Sequence, residues 1–418
     1  MRITAVHRAV AWPKGMDRKE DSVKHRNMRK VAGACAALAI MGYSAAFKAS
    51  DEDKGYKVRL LGSLGGTSSR GNGINDRGVV TGFSNLPRGD RRAAIWQEHE
   101  TIPIEPLGGR HTTIPWSGMN NSGLFVGLTQ TDEPQSRPDW SCGAFLPSNE
   151  FACVGFVWEQ GQMTALPTLG GQNGFATSAN NRRQVVGWSE TTMLDPSCFD
   201  GPKPQFLAVL WDLGTGQTIE LPPYAGGDKQ NSTSAATDIS DEGHVVGISG
   251  DCDQAVGRAS ARHAVMWKDG VVTDLGNLGA DTWNTPTAIT PTGDIVVGFA
   301  NTPQGITHAW LWTERDDIAC PKRPNTNICD LGTLEDGGSA QAWGVNERGQ
   351  VVGTACRPDN YCRGFLWENG KMKDLEQLVG NFKFQLLNAM DINNRGEITG
   401  RAVVAPNVFE VFVATPRD

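Results

Sequence analysis

Residues able to do chemistry are thinly scattered along this 418-residue chain. His263 and His308 recur at one position of a repeated segment, as a general base might. The same position elsewhere holds Arg92, Val154, Leu207, Arg363 and Glu410, so it reads as a polar strand edge. Asp238 and Asp391 end equivalent segments on opposite sides of the repeat series. Paired carboxylates drive glycoside hydrolysis when about 5–9.5 Å apart, and these two are expected to be separated by the width of a channel. Asp251-Cys252-Asp253 offers two carboxylates to calcium, too few to argue a site. There is no P-loop, GxSxG elbow or HExxH pair. No catalytic residue, metal or cofactor is expected.

The cysteines point instead to a compartment. Arg26, Arg29 and Lys30 precede an apolar run over 31–47, and Ser44-Ala45-Ala46 supplies a small-x-small cleavage site. This is the layout of a secretory signal peptide over 28–46, with 1–27 read as an upstream mis-start or an extension of its basic end. Nine of the 39 Lys/Arg but only three of the 46 Asp/Glu lie in residues 1–46, so cleavage moves the net charge from −7 to about −13. A field of that sign repels nucleic acid and anionic lipid. The mature chain, with no transmembrane segment, is expected to be secreted or periplasmic, bacterial and monomeric.

Eight cysteines remain, an even number without zinc-type spacing, and in an exported chain they imply disulfides. The expected pairs follow from which loops they share: Cys142 with Cys153, Cys356 with Cys362, Cys320 with Cys329, and Cys198 with Cys252 across adjacent repeats.

The elements that must position all of this are repeats. GINDRGVVTG, GMNNSGLFVG, SANNRRQVVG, DISDEGHVVG, AITPTGDIVVG, GVNERGQVVG and DINNRGEITG are seven copies of one unit, closing at Gly82, Gly127, Gly187, Gly247, Gly298, Gly353 and Gly400. Each is followed by a short apolar strand, six of them ending in Trp96, Trp158, Trp211, Trp267, Trp312 and Trp367, and then by a fourth extended segment. Alternating apolar residues bounded by Asn, Asp and Gly mark strands and hairpins, and no segment carries helical periodicity. Four strands in a unit of about 50 residues, seven times over, predicts an all-β, seven-bladed β-propeller as a single domain over 56–416. The last unit stops after its third strand, while an orphan strand, Tyr56–Gly62, precedes the first. Pairing the two would complete the seventh blade and close the ring. A parallel β-helix ranks second, because its rungs are much shorter.

The unit, with LGxLGG, INxxGxVVGxS, HA[FW]LW and GxMxDLG, resembles the HAF repeat, a probable extracellular repeat of bacterial proteins. His308-Ala309-Trp310-Leu311-Trp312 and Leu275-Gly276-Asn277-Leu278-Gly279 match it best. The resemblance covers about 56–416 and implies export and repetition without implying an activity.

Long insertions at 129–154, 189–206, 249–262 and 354–363 all join second to third strands and so elaborate one face. Binding sites favour such loops on a rigid scaffold. Trp140, Trp188 and Trp283 fall in or beside loops of that face and are the candidate ligand-binding residues, since aromatic platforms suit sugar rings and peptide side chains. The expected function is a non-enzymatic scaffold binding an extracellular glycan or protein; the alternative is a polysaccharide hydrolase or lyase using carboxylates at the propeller mouth. The adjacent-blade arrangement is checked by peptide mapping of the unreduced protein, which should recover Cys198 linked to Cys252; a Cys198–Cys142 link would break it.

Overall fold

The computed structural model describes residues 55–417 apart from 137–139, 149, 199–200, 227–230, 253–260 and 325. The signal-like segment 28–46 and residues 1–27 lie outside the described residues.

Seven four-stranded antiparallel sheets form the blades of a β-propeller. Blade one runs outward from the channel as Ser69–Ile74, Val80–Asn85, Arg91–Gln97 and Glu100–Ile104. Blades two to six repeat that order. Blade seven is Gln385–Ile392, Ile398–Ala405 and Val408–Pro416, with Tyr56–Gly62 as its outermost strand. Lys57 pairs with Thr415 and Leu60 with Phe412, so the N-terminal strand closes the ring as expected.

The repeated closing glycine has a steric cause. In six blades the register of the innermost strand pair slips by one residue just beyond it, a β-bulge. The first-strand carbonyl oxygen then occupies the place a Cβ would need: that of Arg70 against Gly82, Phe175 against Gly187, and likewise in every blade. Only glycine permits this approach. Hairpins between third and fourth strands are equally specific. Gln160-Gly161, Asp269-Gly270 and Asn369-Gly370 all have positive φ at both central residues, the geometry whose twist matches the flanking strands. Arg183, standing where the other turns have glycine, adopts φ 63°, and its guanidinium is tied to Glu159 at 2.6 and 3.1 Å.

The core is a series of blade–blade interfaces. Ile295, Val297 and Leu311 of blade five pack with Ala342, Val351, Phe365 and Trp367 of blade six, and the other interfaces repeat the scheme. The repeated tryptophans serve it: the indoles of Trp211 and Trp267 donate to the carbonyls of Pro167 and Pro222 in the preceding blade, both at 2.9 Å. Two short helices, Trp140–Phe145 and Leu375–Leu378, were not expected. Neither is long enough to show a helical period, and the second is started by Asp374, whose carboxylate accepts the Glu376 N–H.

Adjacent blades are also tied by the asparagines of the tight turns. Asn120 Oδ1 accepts the N–H groups of Ser122 and Leu124 and shapes its own turn, while its Nδ2 donates to the Asn180 carbonyl of the next blade at 2.9 Å. Asn75 reaches Asn120, Asn180 reaches Ser240, Asn346 reaches Asn393, and Asn393 reaches Asn75 across the ring closure. Ser240 and Thr290 take the asparagine place in blades four and five. There the Asp238 carboxylate accepts the Ile289 N–H, and the Thr287 hydroxyl donates to the Ala342 carbonyl. Because Asn120 is buried, Asn120→Ala should orphan groups of its own turn and one carbonyl of the next, costing about 2–3 kcal/mol. Urea unfolding measures this, and an unchanged midpoint would remove the belt from the stability of the ring.

Candidate functional site

The strand order divides the molecule into two faces. Asn-x-x-Gly turns and third-to-fourth hairpins share one; the loops that enter each blade and those between second and third strands share the other. On this second face the connections carry Cys142–Cys153 in blade two, Cys356–Cys362 in blade six, and Cys198–Cys252, which joins the loops of blades three and four. Cys320–Cys329 braces the third-to-fourth connection of blade five, on the opposite face. These bonds restrict loops that would otherwise lose much entropy on ordering. Four disulfides suit an oxidising compartment. Among the described residues, no helix is long and apolar enough to cross a membrane.

Of the tryptophans expected to serve as ligand platforms, Trp188 is placed differently from expectation. Trp188 is 1% exposed, stacked on Phe175 with centroids 4.8 Å apart and edge-on to Trp116 at 5.5 Å. It therefore cannot present a ring to a ligand: although it stands beside an insertion, it belongs to a strand, Gln184–Asp195, and faces the blade interface. Trp283 is half-buried, edge-on to Phe299, which also packs against Trp343. Trp140 opens the short helix of the blade-two insertion, and its side chain lies outside the described residues. Phe145 of that helix completes the interior cluster with Trp116, Phe175 and Trp188. Aromatics outside the repeat position thus mostly fill the inner part of the ring.

The recurring histidines have a structural partner. His263 Nδ1 meets Asp274 at 2.6 Å, and His308 Nδ1 meets Asp330 at 3.0 Å. Arg363 pairs with Asp374 and Arg92 with Glu105 in the same way. A basic residue at the start of the third strand thus holds an acid at the end of the fourth, where Asp274 and Asp330 also accept the N–H of Gly276 and Gly332. The signal was available as a basic residue followed by the Asp of the DLG segment. Asp251, one of the two carboxylates weighed for calcium, is held by Arg262 at 2.7 and 2.9 Å. Asp253 lies outside the described residues.

Asp238 and Asp391 line one cavity of about 160 Å³ at the turn-face end of the channel, with Trp116, Trp343 and the turn asparagines around them. Asp238 accepts the N–H of Ile239 and, from blade five, of Ile289; Asp391 accepts those of Ile392 and, from blade one, of Ile74. Each carboxylate is a staple between neighbouring blades. Burial pushes Asp238 up to about 6 against the hydrogen bonds it accepts, one of them from Ser178. Burial, with the charge of Asp238 added, pushes Asp391 up to about 7. Among the described residues no group of three or more metal-ligating side chains assembles.

Among solved structures, the chain is similar to the β-propeller domain of the Trilobed protease from Pyrococcus furiosus, at 10% identity, 84% of this chain, 98% of that chain and a TM-score of 0.47. It is also similar to acylaminoacyl peptidase from Pyrococcus horikoshii, at 12% identity, 84% of this chain, 52% of that chain and a TM-score of 0.45. A third is TolB from Acinetobacter baumannii, at 10% identity, 84% of this chain, 64% of that chain and a TM-score of 0.38. The chain spans about half to two thirds of the length of the last two. No family model matches it, and no curated protein does either.

The raised carboxylates make a pH prediction. An acid with a native pKa above its unfolded value keeps its proton in the fold while the unfolded chain releases it. Its contribution to stability is therefore lost as pH rises from about 4 towards about 7. Asp391→Asn should carry a constant offset and a smaller fall in Tm between pH 4.5 and 7.5 than the wild type. Equal falls in the two proteins would show that Asp391 does not titrate in this range.

Proposed function

We propose that this chain is a secreted or periplasmic, HAF-repeat-like propeller acting as a non-enzymatic scaffold for an extracellular glycan or protein. The ligand is held on the face that carries the insertions. The observation behind this reading is asymmetry: second-to-third connections lengthen on one face and three disulfides brace them, while the Asn-x-x-Gly turns of the other face stay short and bonded to one another. A rigid ring under variable, cross-linked loops is an arrangement suited to recognition.

The hydrolase or lyase alternative would fall to Asp238 and Asp391. Both carboxylates are engaged by backbone N–H groups and open on the opposite face, which supports binding over chemistry. A glycan array probed with the disulfide-intact chain tests the proposal. The expected result is a small set of related glycans retained without shortening, and lost when the insertion between Phe125–Pro134 and Phe151–Glu159 is replaced by a tight turn. Progressive depolymerisation of a bound glycan would overturn it in favour of the enzyme.

A further inference from the structure

Three arginines without an acidic partner among the described residues gather where blades seven and one meet, towards the insertion face. Arg70 is the second residue of the innermost strand of blade one, Arg91 begins its third strand, and Arg401 lies in the second strand of blade seven. Aromatic rings orient them. The Arg91 guanidinium lies 4.1 Å and that of Arg70 5.5 Å from the centre of Phe83, and Arg401 lies 3.9 Å over Phe409. Arg91 donates to the Phe145 carbonyl and, at 3.5 Å, to Asn85; Arg401 donates to the Ser68 hydroxyl. Arg70 donates no side-chain hydrogen bond among the described residues, and the Nε atoms of Arg70 and Arg401 are buried without an acceptor. Asp90 and Glu105, on the same blade, are engaged by Arg110 and Arg92.

Such a cluster of like charges is costly without a counter-charge. Burial, then Arg401 and Arg91, lowers Arg70 to about 9. Burial, then Arg401, lowers Arg91 to about 10, and burial alone does the same to Arg401. All three still carry their charge at neutral pH. A buried charge without a counter-charge normally finds one or is removed, and a planar guanidinium held against a ring is preorganised for a carboxylate.

We propose that Arg70, Arg91 and Arg401 form a receptor for the carboxylate of an acidic saccharide, a uronate unit being the simplest. This rests on the scaffold reading for the saccharide, and on the triad alone for the carboxylate. The chain is otherwise acidic, at −7 overall, so a polyanion is repelled by the remaining surface while a ligand with a single carboxylate gains the triad without that opposition. A free small organic acid presents the same group.

Calorimetric titration of the full, disulfide-intact chain with glucuronate, acetate, sulfate and glucose separates these sources. Glucuronate should bind, acetate and sulfate at least tenfold more weakly, and glucose not at all; glucuronate should also raise the Tm. R70Q and R401Q should each weaken glucuronate at least tenfold. R70Q should also leave the unliganded protein at least as heat-stable as the wild type, because it relieves repulsion; a purely structural Arg70 would give the opposite. R70K, which keeps the charge without the fork, covers the case in which R70Q does not fold, and should weaken glucuronate by a smaller factor.

Equal binding of glucose and glucuronate, or unchanged affinity in R70Q and R401Q, overturns the receptor. Acetate as tight as glucuronate overturns the saccharide, and sulfate as tight overturns the carboxylate. Array glycans bound equally by wild type and R70Q would leave the scaffold reading standing and the triad refuted; glucuronate bound through the triad with a silent array would do the reverse.

Discussion

No blade of this ring is complete alone. Each buries one face on the next, and the backbone groups at its inner corner find partners only across the boundary. The asparagine of the tight turn meets both needs with one side chain, because an amide carries an acceptor and a donor on adjacent atoms. Oδ1 closes the local turn and Nδ2 crosses to the neighbour. Where a hydroxyl residue stands instead, at Ser240 and Thr290, crossings by Asp238 and Thr287 remain, as Asp391 and Thr177 cross elsewhere beside an asparagine. With one face locked in this way, the other can accept insertions of varied length without disturbing the ring.

That division explains where polar chemistry survives. The inner part of the ring is occupied by Trp116, Phe145, Phe175 and Trp188 on one side and by Trp283, Phe299 and Trp343 on the other. Ionisable groups are left towards the two ends: carboxylates near the locked face and guanidiniums towards the elaborated one. The carboxylates are consumed by backbone N–H groups, whereas the arginines rest mainly on aromatic rings. Carboxylates satisfied by backbone N–H groups and guanidiniums lying against aromatic rings therefore stand towards opposite faces of the ring.

The fold was legible because its constraints act within a few residues. Seven closing glycines mark seven close approaches of a first-strand carbonyl, and the orphan strand Tyr56–Gly62 stated its own partner by being one strand too many at one end and one too few at the other. Cysteine pairs followed once the loops were assigned to blades. The site was far less legible. Trp188 stands beside a long loop, but its orientation is set by alternation along the strand that holds it. Arg70 and Arg401 lie near opposite ends of the chain and meet only because the ring closes, a proximity that local reading cannot supply. The basic residue facing Asp274, Asp330 and Asp374 could have been found, since both partners recur in register with the repeat.

The strand borrowed from the N-terminus makes the molecule a latched loop. Loop-closure entropy grows only with the logarithm of length, so joining residue 57 to 415 costs about 2 kcal/mol more than closing a single blade of about 50 residues. The latch is therefore a small thermodynamic burden, but a late event in time. Every blade between the two ends can assemble from neighbours in sequence, while the seventh must wait for the farthest segments of the chain to meet. Until they do, the third strand of that blade offers a bare edge, and the race between self-closure and pairing with a second chain is set by concentration.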